Sequence, residues 1–230
     1  LSDKTFKILY SNRNIRRKMP GDVLLAYKYF MDGLTPEQRE ECVLIFHCAP
    51  IDENGTDLPR VHKHLCPDYD ICFTYNIDNR PFNDDEMNLL FNSADVYINL
   101  ASNEGFGLGS AEALTVGTPI IVNVTGGLQD QCGFRKDGEF LTPDDYVELG
   151  SNHTATYTEH GEWVFPVYPT NRSLQGSPMT PYIWDDRCQP EDAAVQLRKL
   201  YDLDREERKR LGSLGTEFCK ENLMTSKAMG

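Results

Sequence analysis

The stretch Asp95–Gly117, DVYINLASNEGFGLGSAEALTVG, decides the reading of this chain. Asp95 to Leu100 is a short apolar run with Val96 and Ile98, the pattern of a buried strand in an α/β protein. Ala101 to Gly105 is turn chemistry. Gly105, Gly107 and Gly109 alternate with Phe106 and Leu108, so the backbone there can adopt positive φ and approach a ligand closely. A helix is expected from near Ser110, with Ala111, Glu112, Ala113 and Leu114 as good formers and Gly117 as its stop. A helix N-terminus fed by a glycine loop presents unpaired N–H groups and the positive end of its dipole, which suits a phosphate.

Two acids flank this loop, Glu104 before its first glycine and Glu112 eight residues later. Carboxylates repel phosphate, so if both face the crevice they are suited to hydrogen-bonding hydroxyls, as on a sugar. The plain structural alternative is a buried turn with solvated glutamates, because a glycine loop alone is a weak signal. A dinucleotide is disfavoured. That fingerprint needs its glycines after the first strand and an acid at the end of the next. Here the loop follows the fourth expected strand, and the next one, Pro119 to Asn123, ends in Asn.

Outward from this stretch the chain alternates strands and helices. Expected strands are Thr5–Tyr10, Cys42–Cys48, Asp70–Tyr75, the central one and Pro119–Asn123. Expected helices are roughly Gly21–Met31, Asp57–Leu65 and Asn83–Ser93, the last with Asn83 as its cap and an acidic first turn. Alternation of this kind calls for an α/β fold, a Rossmann-like doubly wound parallel sheet covered on both faces, with strand ends meeting at one crevice. Residues 133–188 read as an irregular insertion, with a strand-like piece at Trp163–Tyr168 and a long ordered loop, Pro169–Arg187, that could wrap the sheet edge. Residues 189–222 read as two closing helices.

Directly after the first strand comes SNRNIRRKMP, with Arg13, Arg16, Arg17 and Lys18 within six residues. The chain carries a net charge of −13, so a local basic cluster is informative, while a general nucleic-acid or anionic-membrane surface is disfavoured. The functional reading is a diphosphate clamp by Arg13 and Lys18 with the other cations solvated; the bland one is a solvated loop. His47, ending the second strand, can reach the crevice, although a lone His is more often structural. The seven cysteines form no CxxC pair and read as reduced, mostly buried thiols in a cytoplasmic protein. No apolar run reaches the ~18 residues of a membrane span, and the start reads without a signal peptide.

Together, Arg13 and Lys18 after strand one, Glu104-Gly-Phe-Gly-Leu-Gly-Ser-Ala-Glu112, and PIIVNVTGG with Gly126 and Gly127 resemble the nucleotide-sugar domain of GT-B retaining glycosyltransferases, the group related to glycogen synthase. The likeness covers residues 5–132 well and the last two helices loosely. It implies the C-terminal half of a GT-B fold. It also implies transfer of a hexose from a UDP- or GDP-linked sugar to an unknown glycan, lipid or protein acceptor, with the anomeric configuration kept and with no bound metal or other cofactor. Arg13 and Lys18 would grip the diphosphate, and the loop residues Gly105, Phe106, Gly107 and Leu108 would hold phosphate or sugar oxygens. Glu104 would bind donor-sugar hydroxyls and Glu112 the ribose. Tyr75, Asn76 and Ile77 would lie beside the base. The acceptor-binding N-terminal domain of that architecture is expected on a preceding segment or a partner chain, so this chain alone should transfer poorly. A non-catalytic nucleotide-sugar-binding module and a GT-B-like sugar-nucleotide epimerase are the alternatives. Turnover and product analysis separate them.

Overall fold

A computed structural model describes residues 3–75 and 82–223. Its centre is a six-stranded, all-parallel sheet in the order β3-β2-β1-β4-β5-β8. The strands are β1 (Phe6–Ser11), β2 (Cys42–His47), β3 (Ile71–Phe73), β4 (Val96–Asn99), β5 (Ile120–Asn123) and β8 (Val164–Val167). Side chains alternate cleanly between the two faces, as a strand's period of two requires. Phe6, Ile8, Tyr10, Leu44, Phe46, Val96, Ile98 and Ile121 pack on one face, while Leu9, Val43, Ile45, Tyr97, Ile120 and Val122 pack on the other.

Helices cover both faces. On the first lie α1 (Pro20–Asp32), α3 (Leu58–Leu65) and α7 (Pro190–Asp202); a short α2 (Pro36–Glu40) leads into β2. On the second lie α4 (Asp84–Ser93), α5 (Leu108–Thr115) and the closing α8 (Arg205–Asn222). The chain changes faces between β1 and β4, which are neighbours in the sheet. In open α/β sheets that switch opens a crevice at the carboxyl ends of the two strands.

Three expectations change. The third strand is shorter than Asp70–Tyr75, and Asn76 and Ile77 lie outside the described residues. The sheet has a sixth strand, because the Trp163–Tyr168 piece pairs in parallel with β5. As an edge strand it tolerates Pro166, whose missing N–H would break a ladder inside the sheet. Residues 171–187, read as a loop, form an antiparallel hairpin of β9 (Asn171–Ser177) and β10 (Thr180–Arg187). Its prolines, read as loop signals, sit at the turn and on an exposed two-stranded ribbon where they cost little. Between these parts lie a small ribbon, β6 (Arg135–Lys136) with β7 (Glu139–Phe140), and α6 (Pro143–Leu149).

The expected cap on α4 is present in full. The Asn83 side chain accepts from the Glu86 N–H at 2.9 Å, and the Glu86 carboxylate accepts from the Asn83 N–H at 2.9 Å. Asn83→Ala is therefore expected to cost about 1 kcal/mol, read as a fall of roughly 2–4 °C in melting temperature.

Candidate functional site

The crevice is built by two loops that leave adjacent strands. After β1 the chain runs through Asn12 and Arg13 into a single 3-10 turn, Arg16–Lys18. After β4 it runs through Ala101–Gly107 into α5, whose N-cap is Gly107 at φ +89°. The helix therefore starts earlier than Ser110, at Leu108, because Gly107 takes a left-handed backbone that other residues rarely adopt. The Ser110 and Ala111 amides turn back to the Gly107 carbonyl at 3.2 and 3.1 Å. The amides of residues 105–109 have no acceptor among the described residues. A row of free amides ending at a helix N-terminus is suited to an anion.

Beside that row sits a buried ion pair. Lys18 and Glu104 are 8% and 9% exposed, and their charged groups are hydrogen-bonded to each other. Lys18 Nζ also donates to Asn12 Oδ1 at 3.0 Å, and Asn12 Nδ2 donates to the Tyr97 hydroxyl at 3.0 Å. The Tyr97 hydroxyl donates to the Ser11 carbonyl at 2.9 Å. Arg17 closes the same group: its Nη1 donates to the Asn103 carbonyl at 2.9 Å and lies 3.7 Å from Glu104 Oε1. A buried ion pair adds little net stability, but its members cannot be left alone.

A third loop presses against the second from behind. After β5 the chain enters a 3-10 helix, Gly126–Gln131. The Gly127 amide donates to the Glu104 carbonyl at 2.9 Å. Gln131 Nε2 donates to the carbonyls of Phe106 and Gly107 at 2.6 and 3.1 Å. Carbonyls pinned backwards leave the loop's amides facing the crevice side. The expected second glycine turn is thus the support of the first.

The candidate residues do not all converge. Lys18, Glu104 and the loop Gly105, Phe106, Gly107 and Leu108 form one group. Arg13 stands apart: its Nε donates to Asp52 Oδ2 at 3.2 Å and its side chain is 65% exposed. The second cation beside Glu104 is Arg17, read from sequence as solvated. Glu112 is on the exposed side of α5, and partial burial lifts its carboxyl above the ordinary value. His47 is half-buried at the end of β2, with Nδ1 2.8 Å from the Thr74 hydroxyl. Burial holds its imidazole below the usual pKa. Its ring lies 5.5 Å from that of Tyr75 and 5.0 Å from that of Phe82. Asn12, Arg17 and Gln131 were not legible as site residues. The signal for the first two was an Asn-rich, Arg-rich run after the first strand, and that for Gln131 only its place at the end of the second glycine turn.

The hairpin closes one side. Asn103 Nδ2 donates to the Trp184 carbonyl at 3.1 Å, the Asp186 amide donates to the Ser102 carbonyl at 2.8 Å, and Thr125 Oγ1 donates to Asp186 Oδ2 at 2.8 Å. Among the described residues, no three His, Cys, Asp or Glu side chains converge as a metal site requires, and no helix is long and apolar enough to cross a membrane.

Residues 80–151 match the family model "Glycosyl transferases group 1". An uncharacterized glycosyltransferase of Methanocaldococcus jannaschii is 26% identical over 124 residues, covering 51% of this chain and 30% of that protein. Among solved structures, Anabaena HepE in complex with UDP and glucose superposes with a TM-score of 0.62 at 14% identity, over 96% of this chain and 45% of that one. Sucrose-phosphate synthase from Thermosynechococcus elongatus superposes with a TM-score of 0.55 at 20% identity, over 97% of this chain and 42% of that one. The fold is that of the Rossmann-like half of such GT-B structures, and this chain spans less than half the length of each of these proteins.

Proposed function

We propose that this chain is the donor-binding part of a retaining glycosyltransferase, taking a hexose from a nucleotide-diphosphate sugar and passing it to an acceptor with the anomeric configuration kept. The observation that carries this reading is the meeting of Lys18, Glu104 and the free amides of residues 105–109 at the switch between β1 and β4. The family match over residues 80–151 and a structural neighbour solved with UDP and glucose support it.

When the sugar's C1–O bond to the β-phosphate breaks, negative charge grows on the departing diphosphate. An ammonium and a row of amides held in place before the reaction stabilise that charge without reorganising. Lys18 supplies the ammonium. Glu104 now occupies it, so donor binding exchanges that contact for phosphate and leaves the Glu104 carboxylate to accept from sugar hydroxyls. Arg13 leaves Asp52 to join the diphosphate, a small cost because an exposed ion pair contributes only about 0–1 kcal/mol. Glu112 takes the ribose hydroxyls, and Tyr75 with His47 borders the base.

Calorimetric titration with UDP, GDP and ADP tests this. One diphosphate is expected to bind. Because Arg13 is exposed, Arg13→Ala should keep the fold and weaken that binding by roughly tenfold or more, the loss of one charge-assisted hydrogen bond. Equal affinity in the variant would remove Arg13 from the clamp. No binding of any diphosphate to the folded chain would remove the donor site itself.

A further inference from the structure

A cavity lies at the other end of the sheet. It encloses about 690 Å³ at the amino ends of β1, β4 and β5. Its walls carry five cations, Lys4, Lys7, Arg205, Arg208 and Lys209, against one carboxylate, Asp95. In a chain of net charge −13 such a concentration of positive charge needs a cause.

Its own contacts account for three of the five. Asp95 is fully engaged: Oδ2 accepts from the Lys7 amide at 2.9 Å and Oδ1 from Arg208 Nη2 at 3.3 Å. Lys4 and Lys209 pair with Asp70 and Glu206, whose side chains are 61% and 82% exposed, so water screens both pairs. Lys7 Nζ donates only to the Lys4 carbonyl, and Arg205 has no carboxylate partner among the described residues. Arg208 is 8% exposed; its Nη1 donates to the Leu200 and Leu203 carbonyls, and its Nε–H has no acceptor among the described residues.

Arg208 serves the end of α7, but the two helices whose ends line the cavity use none of these cations. Helices α4 and α5 point their negative ends at the cavity, which would ordinarily attract Lys and Arg. Four carbonyls of their last turns already accept from hydroxyls. Ser93 Oγ donates to Leu90, Thr118 Oγ1 to Phe91, Thr115 Oγ1 to Glu112 and Thr216 Oγ1 to Leu114. The charge of Lys7 and Arg205 is left without a carboxylate partner among the described residues at the cavity.

We propose that this cavity is a second binding site, for a small phosphate-bearing anion held between Lys7 and Arg205. Its volume lies within the range of about 300–1,000 Å³ typical of small-molecule sites. The site is separate from the crevice and does not depend on the glycosyltransferase reading.

Amide chemical-shift titration with inorganic phosphate tests it, because the crevice and the cavity then report separately. Shifts are expected at Thr5, Lys7, Ser93 and Thr118, and Lys7→Ala/Arg205→Ala should weaken that binding by tenfold or more. Arg205 is exposed and Lys7 half-buried, so the double variant should fold, which its amide spectrum checks directly. Shifts confined to residues 105–109, cavity shifts unchanged in the double variant, or no shifts at all would each overturn the proposal.

Discussion

Lys18→Ala is expected to destabilise the fold by roughly 3–5 kcal/mol, because it leaves the Glu104 carboxylate buried without its counter-charge. The two groups are 8% and 9% exposed, so little solvent screening reduces the effect. Asn12 would lose its bond from Nζ, and Arg17, 3.7 Å from Glu104, is too exposed to replace it. Glu104→Ala should cost a similar amount from the other side. Lys18→Ala/Glu104→Ala should recover a large part of the combined loss, since no isolated charge then remains buried. Urea denaturation of the four proteins measures this as a coupling energy. Single losses that simply add would mean that the pair is solvated. The double variant should also fold and yet fail to bind nucleoside diphosphate. That outcome separates the pair's part in the site from its part in stability.

The contrast between these two residues shows what a sequence discloses. Glu104 is legible because its neighbours are: a strand, a glycine loop and a helix follow in one continuous run. Lys18 is legible as part of a cation cluster. Their contact is not, because it joins segments 86 residues apart in the chain and depends on β1 and β4 being adjacent in the sheet. Arg13 and Arg17 illustrate the same limit. Both follow one strand, but the turn at Arg16–Lys18 swings Arg17 toward Asn103 and leaves Arg13 against Asp52. Residues 171–187 escaped for another reason. Pro178 and Pro181 suggest loop by their chemistry, and only an exposed two-stranded ribbon makes them compatible with strand. The second strand was legible as buried, since burial on both sides leaves a continuous apolar run such as Cys42–Phe46.

Gly127→Ala is expected to damage the site severely, although it adds a single methyl group. A Cβ at Gly127 would lie 2.2 Å from the Gly105 carbonyl oxygen and 2.6 Å from Phe106 Cα, and one at Gly126 would lie 2.1 Å from the Glu104 carbonyl oxygen. All of these are backbone atoms, so no side chain can turn aside; the two loops must part by about an ångström. That movement breaks the Gly127 bond to Glu104 and loosens the hold of Gln131 on the Phe106 and Gly107 carbonyls. The row of amides at residues 105–109 then shifts away from where a phosphate would sit. Misplacement by about 1 Å costs on the order of 10²-fold where geometry governs binding or catalysis, and overpacking itself costs roughly 1–3 kcal/mol. Gly105→Ala is the control, because a Cβ there meets nothing within 4 Å. Its melting temperature should match that of the parent chain. Comparing the two variants by thermal melting and by titration with nucleoside diphosphate decides the point. If Gly127→Ala binds as tightly as the parent, the amide row is not the anion site, and the second glycine loop only fills space behind it.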